Sequence, residues 1–499
     1  MTAERRTWLL AGLLALLWGL GPALPALLRG ELIGQPFTDL YPAVWGLHWF
    51  ASHQPGLPTV AAELAWPEGM GFYFSSPLHG WAAWPLLAAG LPLPWVWNLL
   101  IVLARVAGPL LAFAWLRAEG AKPSGALAGA AVFGCAPMFH GYAVEGIVEG
   151  TDAWTLALWG LLVARRRFVP SILAFWLVVA SSWYLGLAAL LVAVVRAREH
   201  RVVWLSALGG LLLAAPLWWL FTEAFPAASP LPSEIRVAMG AQLGLPSPGV
   251  LAGQNPFAIT GYLGWIPMVL FLMGARRQPF LAGGAALCWL LATGAGPWYG
   301  LPGLAMVRFP YRLVAASLFL AAPVVAQVAG RWRWGGALGF AIALEFLLLA
   351  PVEPVLPGSP AGLPAVYDGV TPTPLLEVPG PVARPPGEIN RSRPRARYLL
   401  YTLIDHAAAS PWAPDFNGVS HGRQAEWLAT WQALDPLVQD QPPSPPDVSA
   451  LRDQGIAQVM LHVDELGGER AALARLALEA AGWLCTARDD RQELWRSGE

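Results

Sequence analysis

Asp39 is the residue best placed to do chemistry. It lies in Thr38-Asp39-Leu40-Tyr41-Pro42, just past the first apolar segment and inside a loop, 29–94, far longer than a connector needs. A carboxylate there can act as a general base on a substrate hydroxyl, with its pKa set by burial and charge. The competing reading is an N-cap, with Thr38 or Asp39 starting a helix at Tyr41-Pro42. A second acidic group, Glu145, Glu149 and Asp152, follows His140. Glu145 and Glu149 are four apart, a spacing that puts both on one helix face. There they would bind an acceptor, a metal or a cationic group. The competing reading is a solvated loop with Asp152 capping the next segment. Arg308 and Arg312 flank Phe309-Pro310-Tyr311. Arginine holds phosphate bidentately and keeps its charge beside apolar surfaces. Otherwise the two would snorkel towards headgroups.

Other residues carry weaker signals. Arg105 and Glu345 lie inside apolar runs, where a charge is costly and marks a site by default. A glutamate partner for Arg105 is the structural alternative. Trp45, His48 and Trp49 stand at i, i+3, i+4. That face suits a helix lying in a membrane interface, and His48 joins the substrate-binding candidates. His406, Asn417 and His421 fall in one late loop, where ordinary loop hydrogen bonding also accounts for them. Cys135 and Cys288 lie in apolar segments and Cys485 lies near the C-terminus. No Cys/His spacing suggests a disulfide framework or a zinc site. No GxGxxG after a strand, P-loop, HExxH or GxSxG is present. Nothing in the pattern calls for a cofactor.

The elements that must position these groups are largely apolar. The 499 residues are 56% hydrophobic and 13% charged, against about 25% charged in a soluble chain. A polytopic membrane protein follows. The net charge of −1 gives no support to nucleic-acid binding. The 27 tryptophans suit two aromatic belts. Candidate spans are 8–28, 95–116, 124–139, 151–164, 202–221, 259–274, 279–294, 313–330 and 335–351. The first resembles a signal peptide, with Arg5 and Arg6 ahead of it, and reads as uncleaved. Arg5/Arg6, Arg117/Lys122, Arg165–Arg167, Arg196/Arg198/Arg201, Arg276/Arg277 and Arg331/Arg333 fall in alternate short loops. By the positive-inside rule these loops are cytoplasmic. The 28 residues 168–195 are then too few for two full spans and read as a short helix pair meeting near Ser181-Ser182-Trp183-Tyr184. The pair brings the expected total to 11 membrane helices. The stretch Pro77–Leu91, interrupted by Pro85, reads as interfacial or re-entrant.

The chain therefore divides into a membrane domain, 1–351, a Pro/Gly-rich linker, 352–364, and a soluble extracytoplasmic domain, 365–499. In the last, strands are expected at Pro374–Val378, Arg397–Leu403, 456–463 and 492–496. Helices are expected at 424–434 and 468–482. This is a small α/β domain. The fold class is mainly α, a helical bundle with that domain attached.

The chain resembles the bacterial GT-C superfamily of polytopic glycosyltransferases, particularly large members with a C-terminal extracytoplasmic domain. The resemblance rests on Asp39-Leu40-Tyr41-Pro42 with its long loop and on the short pair around Ser181–Gly186. It rests also on Val307-Arg308-Phe309-Pro310-Tyr311-Arg312 opening a late span, and on the tail from LLEV through RYLLYTLIDHAAASPWAPDFNG to GIAQVMLHVDEL. It implies an inverting transferase in the bacterial inner membrane that uses a polyprenyl-phosphate sugar and a glycan, lipid or protein acceptor. It implies Asp39 as general base and Arg308 or Arg312 at the donor phosphate. The loop HGYAVEGIVEGTD departs from the Gly-His pair common in related chains, so no second catalytic residue carries over. The reading from another class is a non-catalytic member acting in transport or assembly of a surface glycan or lipid. A transporter would show charges through several spans and paired repeats. Here the acids gather on one face.

Overall fold

The computed structural model describes residues 3–498 apart from 38, 55, 57–58, 67–68, 73, 75, 199–200, 225–232, 239, 242–260, 301–303, 305–306, 381–394, 412–433, 438–445, 447 and 449. Apolar periodicity without a strand pattern dictates helices up to residue 349. They are α1 (Ala3–Leu20), α2 (Leu24–Leu28), α3 (Leu40–Ser52), α4 (Pro77–Ala88), α5 (Leu93–Ala118), α6 (Pro123–Gly134), α7 (Pro137–Glu145) and α8 (Ala153–Ala164). Then follow α9 (Phe168–Ser181), α10 (Trp183–Arg196), α11 (Arg201–Ala224), α12 (Ser233–Ala238), α13 (Trp265–Ala275), α14 (Pro279–Ala292), α15 (Val314–Ala329) and α16 (Gly335–Leu349). The 11 expected membrane helices correspond to α1, α5, α6 with α7, α8 to α11, and α13 to α16. The result is a multi-pass membrane bundle.

α15 is the axis of this bundle. It packs on α6, α14, α13 and α10 and is buried almost throughout. Small residues allow the close approach. A Cβ on Gly125 would sit 2.1 Å from the Ala326 carbonyl oxygen, and one on Gly129 would sit 2.7 Å from that of Ala322. The perimeter is apolar and outward-facing, as at Leu212, Trp219 and Phe280.

The short pair forms as expected. α9 and α10 have 14 residues each, about 21 Å at 1.5 Å per residue. They join at the extended residue Ser182. α4 has 12 residues, about 18 Å, too short to span. It packs on α3, α5 and α9, and Trp81 stacks on Trp176. The basic loops gather at one end, where Arg117 pairs with Glu4 at 3.0 Å and Arg196 with Glu119 at 2.5 Å.

At the other end the long loop and the tail share one core. Strand β1 (Leu32–Ile33) pairs with β4 (Gly358–Ser359), and β2 (Val60–Ala61) pairs with β3 (Met70–Gly71). The stretch 352–364, expected as a linker, is held in place by that pairing, by buried Leu356 and by the Tyr41 hydroxyl donating to Pro360. The tail carries β5 (Leu375–Val378), helix α17 (Ala396–Asp405), β6 (Gln458–His462), helix α18 (Gly468–Ala480), β7 (Trp483–Arg488) and β8 (Gln492–Ser497). The sheet order is β5-β6-β8-β7. The β5/β6 pair is parallel, with Leu376 opposite Val459, and the others are antiparallel.

Three readings change. Arg397–Leu403 is helical, not a strand, because Ala396, Leu400, Tyr401 and Leu403 form one buried face at helical spacing. β7 was not expected. Its consecutive exposed residues Leu484, Cys485 and Thr486 give no alternating pattern to reveal it. The Trp45/Trp49 face of α3 does not lie against headgroups. Both rings are buried against Phe72, and α3 packs on α17. The helix expected at 424–434 lies outside the described residues except for Leu434.

Candidate functional site

Two glycines bring Asp39 to the second acidic loop. α7 ends at Gly146, whose φ of +70° lies in the left-handed region. A Cβ there would meet the Leu40 backbone at 2.7 Å, and one on Gly34 would sit 3.0 Å from Gly146 Cα. The Gln35 N–H donates to Val144 at 2.7 Å and closes the junction. The residue after Asp39 is thereby pressed onto the turn after Glu145. Asp39 holds the N-cap position of α3, yet its side chain makes no cap hydrogen bond. It is half-buried, and its charge acts on both Glu149 and Tyr311.

Glu145 and Glu149 do not share a helix face. The left-handed Gly146 ends α7, and Glu149 lies in the separate 3-10 turn Val148–Gly150. Neither is solvated, with 3% and 9% of their surfaces exposed. The second acidic segment is buried. Gly150 permits this, since a Cβ on it would overlap the Tyr142 ring.

Arg312 supplies the opposing charge. The 3-10 turn Pro310–Leu313 points it at Glu149, with Nη1 3.4 Å from Oε1. Its guanidinium lies 4.6 Å from the Tyr184 ring centre, 5.0 Å from Phe309 and 5.6 Å from Tyr142. Such a box holds a buried cation by attraction to ring faces. Burial pushes the Glu149 carboxyl above its usual range; the Arg312 charge opposes this and the Asp39 charge adds to it. Arg308 is half-exposed and lies over Phe309.

Asp152, Asp39's counterpart at the start of α8, also makes no cap hydrogen bond. The Trp154 Nε1–H donates to its Oδ1 at 2.7 Å, and His79 Nε2 lies 3.4 Å from the same atom. His79 Nδ1 is 2.6 Å from Ser76 Oγ. Burial lowers the His79 pKa to about 3, so the ring is neutral. Sequence reasoning missed His79, Ser76 and the tyrosine box. One signal was present: a histidine alone in an apolar helix, three residues after a serine.

The other candidates lie apart. His48 belongs to α3, and burial and the His53 charge lower its pKa. It is not part of the Glu149–Arg312 pair. Among the described residues Arg105 pairs with no glutamate. It donates to the Trp18 carbonyl at 2.8 Å and meets His140 Nδ1 at 3.0 Å. Glu345 caps α13, accepting from the Tyr262 hydroxyl and from the backbone N–H groups of Trp265 and Ile266. His406 ends α17, and Asn417 and His421 lie outside the described residues. Among the described residues, no group of three or more His, Cys, Asp or Glu is arranged to hold a metal.

No family model and no curated protein matches this chain. Among solved structures it is similar to the cryo-EM structure of the arabinofuranosyltransferase AftD from mycobacteria. The TM-score is 0.60 at 18% identity, covering 99% of this chain and 40% of that one. A second AftD structure, of a mutant, gives 0.59 at 17%, covering 99% and 42%. The chain thus spans about two fifths of these neighbours' length. The likeness is one of fold alone, a multi-pass helical membrane bundle with a small sheet-containing tail.

Proposed function

We propose that this chain is a membrane glycosyltransferase that moves a sugar from a polyprenyl-phosphate donor to an acceptor hydroxyl, with inversion. The carrying observation is the convergence of the Asp39 loop, the Glu145–Glu149 segment and Arg312 beside a tyrosine box, at the end of the bundle opposite the basic loops. In this reading the acceptor O–H gives its proton to the Asp39 carboxylate. The freed oxygen attacks the anomeric carbon, and the sugar–phosphate bond breaks with its electron pair leaving on the phosphate. Arg312 is already engaged by Glu149. In this reading Arg308, half-exposed and lying over Phe309, takes the phosphate, and Arg312 holds Glu149 in register. Glu145 and Glu149 face the acceptor's hydroxyls. The outer layer formed by loop 29–94 and the tail walls the acceptor side.

The assigned location is the bacterial inner membrane, with the basic loops and N-terminus cytoplasmic and the tail outside. The neighbours' arabinofuranosyl specificity makes polyprenyl-phosphate arabinofuranose the first donor to try. The test is transfer from that radiolabelled donor to cell-wall glycan by the protein in vesicles. Label incorporation that needs Asp39 supports the reading. Donors of several sugars that all stay intact with folded protein would remove it in favour of a non-catalytic role.

A further inference from the structure

Asp152 is a carboxyl group with one oxygen filled and one empty. It is fully buried (0% exposed). Oδ1 accepts from the Trp154 Nε1–H at 2.7 Å and has His79 Nε2 at 3.4 Å. Oδ2 has no hydrogen-bond partner. No lysine or arginine pairs with Asp152 among the described residues. Its one basic neighbour, His79, is itself buried and is held neutral. The negative charge of Glu149 also acts on Asp152. The contact with His79 is also too long for a charge-assisted pair, which draws in to about 2.7–2.9 Å. An ionised carboxylate in this setting would leave half its charge on a bare buried oxygen beside a second carboxylate, which is strongly disfavoured.

The order of donors follows. With the Ser76 hydroxyl as donor to His79 Nδ1, at 2.6 Å, the neutral ring carries its proton on Nε2. Nε2 then faces Oδ1 at 3.4 Å, a polar contact longer than a full hydrogen bond, and Trp154 is the donor from which Oδ1 accepts. The carboxyl proton is left to Oδ2. We propose that Asp152 is a neutral carboxylic acid whose Oδ2–H is a donor held for a phosphate oxygen of the bound ligand, with Ser76 and His79 as positioning residues that fix its orientation. A neutral donor suits this wall. It adds a hydrogen bond to an anionic ligand without adding a charge to Asp39, Glu145 and Glu149. The ligand class rests on the proposed function; the protonation state does not.

Infrared spectroscopy of the full chain in vesicles tests this without any transfer assay. At neutral pH a protonated-acid carbonyl band should be present, and Asp152→Asn should abolish it. Carboxyl-¹³C aspartate should move it in the unaltered protein, so the assignment survives a variant that fails to fold. His79→Asn should shift the band by removing the polar contact at Oδ1, a change that a purely structural role for the histidine would not produce. Farnesyl phosphate should move the band to lower frequency as Oδ2–H gains an acceptor. Inorganic phosphate doing the same would name the free anion as a sufficient ligand, and silence from it alone would require the lipid chain. A neutral-pH spectrum without the band, or a band that Asp152→Asn leaves in place, overturns the neutral acid. A band unmoved by either phosphate overturns the donor role. If Asp39→Asn still abolishes transfer in that case, the proposed function stands and only this inference falls.

Discussion

At the scale of residues, the site is a matter of which charges are opposed. Asp39 is half-buried and free of a capping duty. As general base it should be worth about 10²–10⁴-fold. Asp39→Asn should therefore nearly abolish transfer while expression stays normal, and turnover close to the parent's would end the assignment. Glu149 and Arg312 behave as a unit. Breaking a buried pair by removing one partner costs about 3–5 kcal/mol, because the other charge stays behind. Arg312→Ala should lower the melting temperature, and Glu149→Gln in the same chain should recover much of the loss. An additive double mutant would show that the pair does not couple. The pH sign is fixed as well. The folded pKa of Glu149 lies above its ordinary value of 4.5. Its contribution to stability is fully present below that ordinary value and is lost as pH rises through the folded value. Thermal unfolding of the parent minus that of Glu149→Gln should show this loss on raising the pH above 4.5, and an opposite slope would contradict the shift.

At the scale of elements, two turns decide where the carboxylates meet. Gly146→Ala puts a Cβ into the Leu40 backbone and also pays the left-handed strain of about 1–2 kcal/mol. Gly30 has φ +67° with open space around it. Gly30→Ala therefore carries the strain without the collision. Transfer should fall sharply in Gly146→Ala and little in Gly30→Ala. Equal losses would mean that backbone strain, not the Asp39 junction, is what matters. The same scale explains α17. Its buried residues recur at helical spacing, and that period prevails over the strand preference of its tyrosines, threonine and leucines.

At the scale of the whole molecule, the long loop and the tail form one outer layer over one end of the bundle. Trp45, Trp49, Phe72, Leu400, Val459 and Leu461 belong to a single buried cluster; beside it the Trp66 N–H donates to the Ser410 carbonyl and the Ser410 N–H to the Glu63 carbonyl. Ending the chain at residue 351 should strip that core. Loop 29–94 should then become protease-sensitive while the bundle remains protected in detergent; a loop as resistant as in the full chain would show that it folds alone. Orientation is a separate test. An alkaline phosphatase fused to the C-terminus should be active, and a stable but inactive fusion would reverse the assigned sides.

The sequence by itself determined the bundle. Apolar runs of membrane length, arginines in alternate loops and the crowded 168–195 segment each carry their information locally, through burial and period. They gave the helices, the short pair and the non-spanning length of α4. The candidate acids and the Arg308/Arg312 turn were legible for the same reason, as polar residues where apolar ones are the rule. Only the tertiary structure decided what they meet. That Glu149 faces Arg312, that Glu345 caps α13, and that Asp152 reaches His79 across 73 positions are long-range contacts with no local period to announce them. The separation of Glu145 from Glu149 turned on one residue, Gly146. Its left-handed turn sits against Leu40, more than a hundred positions away in the chain, where a Cβ would collide.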